Sequence, residues 1–407
     1  MKRYDVFVGG HLALDVYPGL QDFASGTFLE HFKPGKLLYV ENVSFCTGGP
    51  VSNTGLILHK LGMNVCLMGK IGHDAFGEVV KQTFDEFSPT LSASLQDGSK
   101  YNSTYRIAYS KDEGTSYTIN ISPPGIDRIF LHYRGANDTF IAADVDYDFV
   151  KQSQIFHFGY PPLMRKMYED NGENLSAIMR QAKKCNVITS LDMALPDPNS
   201  SAGKADWEAI LKKTLPYVDI FAPSFEEIVY MADRDLYWDL MSHSEDGDIL
   251  RQAQISHLET ISDRLLEWGA KIILIKIGER GLFLRTPERS LIETLGASAN
   301  LTMEGWENQH IWSPCFKANF VGAAGSGDAT IAGFLSAMIK NFSIDESVEM
   351  AVAVGACCVE ALDTLSGVQE WDKIRRRIES GWEKHELKLL DAHWRMDPKY
   401  QHWRYIH

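Results

Sequence analysis

Gly322-Ala323-Ala324-Gly325-Ser326-Gly327-Asp328-Ala329-Thr330-Ile331-Ala332-Gly333-Phe334-Leu335-Ser336-Ala337-Met338 joins a run of small residues to an apolar stretch of helical length. Small side chains over 322–327 let successive backbone amides converge on an anion, and the helix that follows adds the positive end of its dipole. Asp328 stands at that helix start, where a carboxylate beside an anion is electrostatically awkward unless it has a task. If a phosphoryl group passes to a hydroxyl, the carboxylate accepts the hydroxyl proton while the amides stabilise charge on the phosphate oxygens. Taken alone, the segment also fits an N-cap aspartate after a tight turn.

Outward from this stretch, short β-branched and aromatic runs alternate with segments of helical period. Strands are expected at Tyr4 to Val8, Leu38 to Phe45, Val65 to Met68, Ile155 to Gly159, Val187 to Asp192, Val218 to Pro223 and Ile272 to Ile277. Helices are expected from Val51 to Leu61 and from Leu175 to Lys184, and residues 38–68 read as a strand–helix–strand unit. The alternation predicts a doubly wound α/β fold, a mostly parallel sheet flanked by helices. Between residues 100 and 144 the pattern changes. Tyr101, Thr104, Tyr105, Ile107, Tyr109, Tyr117, Ile119 and Ile121 alternate with polar neighbours, as in an antiparallel ribbon with one solvated face. Residues 230–265 are polar and irregularly charged and read as an inserted loop and helix.

Ligands of such sheets bind beyond the carboxyl ends of the strands. Three more glycine turns stand there. Thr47-Gly48-Gly49-Pro50-Val51-Ser52-Asn53 offers bare backbone to a polyhydroxy ligand and an amide that both donates and accepts, or is simply a strand-to-helix turn. Gly69-Lys-Ile-Gly72-His-Asp74-Ala-Phe-Gly77 lacks the GxGxxG spacing, and Asp74 reads as a helix cap. Lys276-Ile277-Gly278-Glu279-Arg280-Gly281 fits a hairpin turn and a turn near a nucleotide equally well.

Several classes drop out. The Gly-Lys pairs at 35–36, 69–70 and 203–204 lack the following Ser or Thr of a P-loop, and HExxH and GxSxG are absent. Over 407 residues, 40 Lys plus Arg face 54 Asp plus Glu for a net charge of −14. That balance, without a basic run, argues against a nucleic-acid partner. No segment approaches the ~18 apolar residues of a membrane span, and no signal-peptide core forms after Met1, so a cytoplasmic protein with no membrane partner is expected. Cysteines 46, 66, 185, 315, 357 and 358 form no CxxC pair and read as buried free thiols.

Gly48-Gly49-(x)3-Asn53, Leu61-Gly62 and Gly69-(x)2-Gly72-x-Asp74-(x)2-Gly77 near the start, with Gly325-Ser326-Gly327-Asp328-(x)4-Gly333 near the end, resemble the ribokinase-like carbohydrate kinases of the phosphofructokinase B type. The resemblance implies a small β-sheet lid on the doubly wound sheet, formed by parts of 15–45 and 100–144. The kinase domain would span 1–382, followed by a C-terminal extension, 383–407, that packs on the body or on a second subunit. It implies ATP-dependent phosphotransfer to a hydroxyl, typically a hydroxymethyl, of a sugar or sugar-like molecule. Asp328 would be the general base and the amides of Gly325, Ser326 and Gly327 the anion hole. Asp15, Gly48, Gly49 and Asn53 would bind substrate, and Gly135-Ala136-Asn137 resembles a further family segment. Ser224-Phe225-Glu226-Glu227 falls where the family carries Asn-x-x-Glu, so Glu227 would organise Mg2+ through water. Ser224, Lys276, Gly278 and Gly281 would face the nucleotide, with the helix Ala351 to Cys358 near the adenine.

Three departures from the family pattern stand out. Gly322-Ala323 replaces Asp-Thr, which puts the monovalent-cation site of some relatives in doubt, Ser224 replaces Asn, and Lys276 replaces Thr. A non-catalytic sugar- or nucleotide-binding sensor and a nucleoside kinase are the alternatives; the latter would use Tyr101, Tyr105, Tyr109 and Tyr117 on the substrate side of the lid. Family lids often pair between subunits, which places a homodimer through the lid among the expected partners.

Overall fold

Apolar runs without a polar break cannot face water on either side, and here they form the middle of a long sheet. The computed structural model describes residues 2–20, 23–24, 26–92, 105–124, 129–244, 247–299, 301–389 and 391–406. Among these, the main sheet has eleven strands in the order β14 (Trp394–Asp397), β15 (His402–Tyr405), β13 (His310–Ser313), β12 (Leu282–Arg285), β11 (Ile272–Lys276), β10 (Ile220–Phe221), β9 (Ile188–Leu191), β8 (Ser153–Gly159), β1 (Tyr4–Gly10), β4 (Val65–Ile71) and β5 (Tyr105–Tyr109). Every pair from β11 to β5 is parallel. The pairs from β11 out to β14 are antiparallel.

Period-two alternation sends Val6, Val8, Leu67 and Ile155 into one core, and Phe7, Cys66, Phe156 and Phe158 into the other. Helices α1 (Pro50–Lys60) and α2 (Ala75–Ser92) cover the first core. Helices α3 (Glu173–Lys184), α4 (Phe225–Ala232), α5 (Arg234–Ser242) and α6 (Ile255–Glu267) cover the second, and α7 (Ser326–Ile339) and α8 (Ile344–Cys358) return to the first. The sheet is thus doubly wound. The chain leaves β1 toward β4 and β5, then comes back to the other side of β1 with β8, so the strand order reverses between β1 and β8. A crevice opens outside the carboxyl ends of strands at such a reversal.

A second sheet of four strands, in the order β3 (Glu41–Gly48), β2 (Ala13–Gly19), β6 (Tyr117–Ile121) and β7 (Ile129–Tyr133), leaves the first directly after β1. Its membership corrects two expectations. Residues 105–109 pair in parallel with β4 and belong to the main sheet, because their register continues that of Leu67 to Ile71. β3 does not share a sheet with β4: it runs antiparallel to β2, so residues 38–68 are no strand–helix–strand unit. Periodicity marks a strand but does not name its neighbour. Tyr101 and Thr104 lie outside the described residues.

The stretch 230–265 carries two helices where a loop and one helix were expected. It holds α5 and α6 within the connection from β10 to β11, and α6 buries Leu258, Ile261 and Leu265 at helical spacing beneath a polar outer surface. The polar majority of that helix hides its apolar stripe in the sequence.

The tail enters the main sheet itself. Strand β15 pairs with β13 and β14 with β15. Trp394 is 3% exposed and His402 0%. The His402 Nε2 atom lies 3.1 Å from the Asp345 carboxylate, which Arg404 also contacts. Lys384 donates to the Ser313 hydroxyl at 2.9 Å and the Tyr400 carbonyl at 2.7 Å. Removing one buried tryptophan costs about 3–5 kcal/mol. A chain ending at Leu389 is therefore expected to melt at least ~5 °C below the full protein; an unchanged melting temperature would show that the hairpin adds nothing to the folded unit.

Candidate active site

Parallel strands end on one edge of the main sheet, and Tyr160 after β8, Asp192 after β9 and Lys276 at the end of β11 gather there. Helix α7 delivers Asp328 to the same place. Gly325 caps α7 at φ 71°, a left-handed conformation open to glycine, and a β-carbon there would lie 2.6–2.7 Å from Thr364. One turn on, the Asp328 side chain is 0% exposed.

A buried carboxylate needs donors, and three reach Asp328. Asn53 Nδ2 donates to Oδ2 at 3.0 Å, the Tyr160 hydroxyl to Oδ2 at 2.8 Å and the Thr54 hydroxyl to Oδ1 at 3.0 Å. Thr364 holds Asn53 from behind, its hydroxyl 3.0 Å from Oδ1 of the amide. Burial pushes the Asp328 carboxyl above its ordinary pKa, while Asn53, Tyr160, Lys276 and Thr54 pull it back. The glycine turn at 47–53 and the one at 322–328 are therefore one hydrogen-bonded unit.

A second buried pair lies beside it. Lys276 Nζ donates to Asp192 Oδ1 at 2.6 Å, with both side chains shielded. The lysine also packs on Gly327, where a β-carbon would sit 3.4 Å from Nζ. Burial works against its charge, but Asp192, Glu227 and Asp328 outweigh that effect and hold the ammonium above its usual pKa. Asp192 Oδ2 has no hydrogen-bond partner. Ser224 and Glu227 form a capping box at the start of α4: the Ser224 amide donates to Glu227 Oε2 at 2.6 Å, and the Glu227 amide to Ser224 Oγ at 3.2 Å. Ser224 also bridges to Lys276, whose amide donates to the Pro223 carbonyl at 3.0 Å.

The second sheet presents two adjacent rows of opposite character. Cys46, Asp15, Thr118 and His132 lie side by side across its four strands, and the next row on the opposite face is Phe45, Val16, Ile119 and Leu131. Burial pushes the Asp15 carboxyl up to about 6, opposed by hydrogen bonds from Thr118 and Asn120. Its Oδ2 lies so close to Gly48 that a β-carbon there would be at 2.3 Å. His11, between β1 and β2, is held neutral by burial with a pKa of about 3, and neither ring nitrogen has a hydrogen-bond partner.

The remaining expected residues take other places. Gly278 and Gly281 bracket a turn whose Arg280 donates to the carbonyls of Leu250, Arg251 and Ala253, and no described contact ties these glycines to Asp328. Asp74 caps α2 through the Gly77 amide and also accepts from the amide and hydroxyl of Thr115 just before β6. Asn137 clamps both backbone groups of Leu12. Tyr105 donates to Asp85, Tyr109 stacks on His73 at 4.4 Å, and Tyr117 packs between Phe76 and Tyr133 on the face away from Asp15. The three described tyrosines thus do not line the Asp15 row. Sequence reading missed Tyr160, Asp192, Thr54 and Thr364. Tyr160 directly follows a predicted strand and Asp192 ends one, positions that signal a site; Thr54 and Thr364 carried no signal.

The model of the pfkB family of carbohydrate kinases matches residues 23–371. The chain belongs to that family. Among pfkB relatives, the 2-dehydro-3-deoxygluconokinase of Bacillus subtilis is 24% identical over 367 residues, which cover 87% of this chain and 93% of that protein. The structure of Arabidopsis thaliana ribokinase complexed with ribose and ATP superposes with a TM-score of 0.62 at 17% identity, covering 92% of this chain and 98% of that one. A putative ribokinase II from E. coli in complex with ATP and Mg2+ gives 0.62 at 16% identity, covering 93% and 99%. As a pfkB protein the chain is a carbohydrate kinase with a ribokinase-like fold. No described helix is long and apolar enough to cross a membrane.

The route from Gly325 through Thr364 and Asn53 to Asp328 makes a sharp prediction. Gly325→Ala forces a left-handed alanine against Thr364, at a cost of about 1–2 kcal/mol before any clash. It is expected to lower both the melting temperature and the phosphotransfer rate. A variant that melts lower but turns over at the wild-type rate would break the proposed route.

Proposed function

We propose that the protein transfers the γ-phosphoryl group of ATP to a hydroxyl, typically a hydroxymethyl, of a neutral or acidic sugar. The observation that carries this reading is the Asn53–Asp328 hydrogen bond, which joins the sugar-side turn to the phosphate-side turn across a buried carboxylate. Asp328 accepts the alcohol proton, and the amides of Gly325, Ser326 and Gly327 stabilise charge on the migrating phosphoryl. Asp15, Gly48, Gly49 and Asn53 hold the sugar hydroxyls, with neutral His11 nearby. Lys276, against Gly327, neutralises phosphate charge, and Ser224, Gly278 and Gly281 flank the nucleotide. Phe320 (71% exposed) and Leu362 (69%), beside the 322–325 turn, form an apolar rim suited to a purine.

Among the described residues no group of three or more His, Cys, Asp or Glu side chains could hold a metal alone. That suits Mg2+, which keeps its waters and binds chiefly phosphate oxygens. Asp192, with its orphan buried oxygen, and Glu227 are the carboxylates that would hold its waters. When bound, the ion screens phosphate charge.

The measurement is ATP consumption with Mg2+ and D-ribose, D-fructose, 2-dehydro-3-deoxy-D-gluconate or adenosine. A sugar is expected to be turned over, and Asp328→Asn to lower kcat by roughly 10²–10⁴-fold. Undiminished turnover in that variant would remove Asp328 as base; saturable binding without any turnover would favour a sensor, and adenosine alone a nucleoside kinase.

The lid also supports a homodimer. Val43 (48%), Phe45 (47%) and Leu131 (52%) are exposed beside β3, an edge strand among the described residues, and a second copy is the occupant proposed for them. Sedimentation is expected to give a dimer at micromolar concentration and a monomer for Phe45→Glu. A monomeric wild type would exclude it.

A further inference from the structure

Tyr160 is a residue that no motif of the sequence singles out. It directly follows β8, at the reversal of strand order, with φ 61° and ψ 43°. A bulky residue is strained in this left-handed region, and more so before a proline, here Pro161. Such strain persists where the surroundings over-determine it, and it gathers at functional sites. Its hydroxyl donates to Oδ2 of Asp328 at 2.8 Å.

A carboxylate has about four acceptor positions, two on each oxygen. Asn53 and Tyr160 fill both on Oδ2, whereas Thr54 takes one on Oδ1. We infer that Tyr160 is a positioning residue for phosphotransfer: together with Asn53 it saturates Oδ2 of Asp328 and leaves Oδ1 as the oxygen that receives the alcohol proton. The inference rests on the reading of Asp328 as base. In that step the alcohol O–H bond breaks toward Oδ1 as the new O–P bond forms. The bond from the γ-phosphorus to the bridging oxygen breaks, its electrons leave with ADP, and the proton passes to solvent after product departs.

The phenol also acts on the charge of the base. A donor to the ionised form favours that form. Other titratable groups surround the pair: Lys276 from β11, Asp192 after β9, Glu227 on α4, Cys358 on α8 and the neutral ring of His11. Of these, Lys276 supports the carboxylate, and Asp192 and Glu227 oppose it. Removing the phenolic donor therefore raises the pH needed to ionise Asp328, so the loss of rate is greatest at low pH and fades as pH rises.

The test compares wild type, Tyr160→Phe and a protein carrying 3,5-difluorotyrosine at 160, with MgATP and whichever of the three sugars is turned over. In Tyr160→Phe the acid limb of kcat is expected to move up by about half a pH unit to one unit. The rate falls about 5- to 10-fold at pH 6, less than threefold at pH 8.5, and the sugar KM changes less than about twofold. The fluorinated phenol, a stronger donor, moves the limb the other way. Equal losses at both pH values, a change confined to KM, or an unmoved limb would overturn the inference. Asp328→Asn keeps the two readings apart: if it stays active the base assignment fails, and if it is inactive while the Tyr160→Phe limb is unmoved, only the role of Tyr160 fails. The second measurement needs no turnover. In protein labelled with [4-13C]aspartate, the carboxyl resonance missing from Asp328→Asn should titrate at higher pH in Tyr160→Phe, and an unchanged midpoint overturns the proposal. Should the phenylalanine variant not fold, the fluorinated protein, which keeps ring and hydroxyl, carries the same comparison.

Discussion

A carboxylate removed from water must gather donors or give up its charge, and that constraint organises the centre of this molecule. Asp328 gathers donors from α1 and from the residue after β8. These bonds tie the start of α1 to the start of α7, and both helices pack on the same face of the sheet. Thr364 locks the amide of Asn53, so the donor atom faces Asp328 and the oxygen faces away. Two glycine turns more than 270 residues apart in sequence thereby become one device. Its rigidity comes from side chains, while the glycines only make room.

The second sheet follows from a simpler rule. Side chains alternate between faces, so a strand that contributes Asp15 to one face must contribute Leu14 and Val16 to the other. Across four strands this gives a polar row next to an apolar one. Asp74 and Asn137 fasten the root of this sheet, the first at Thr115 and the second at Leu12. The residues of the Gly69–Gly77 signature are thus mechanical: they set where the second sheet leaves the first, and so where Asp15 stands.

The parallel strands, the helix after Gly49 and the helix after Gly325 were legible because buried runs and glycine turns leave strong local patterns. Partner choice was not. β3 reads as a strand but gives no sign that it pairs with β2 rather than β4, since pairing depends on contacts far apart in sequence. The polar surface of α6 hid a regular apolar stripe. Asp328, Asn53, Ser224 and Lys276 were visible through their turns. Tyr160, Asp192 and Thr364 act through single long-range contacts, and such contacts have no local signature, although the first two occupy strand ends where a ligand-facing residue is expected.

The departures from the family pattern bear on whether the site is functional. A decayed site would be expected to leave buried polar atoms unmatched at the altered positions, because nothing selects their partners once chemistry is lost. Ser224, standing in for asparagine, completes a capping box with Glu227. Lys276, standing in for threonine, is matched by Asp192 and lies against Gly327. The changes at 224 and 276 thus come with their complements. Oδ2 of Asp192, buried without a partner, is on the carboxylate proposed above to hold a hydrated cation. An orphan at the ligand-facing edge, beside fully matched substitutions, is the pattern of a site kept for use.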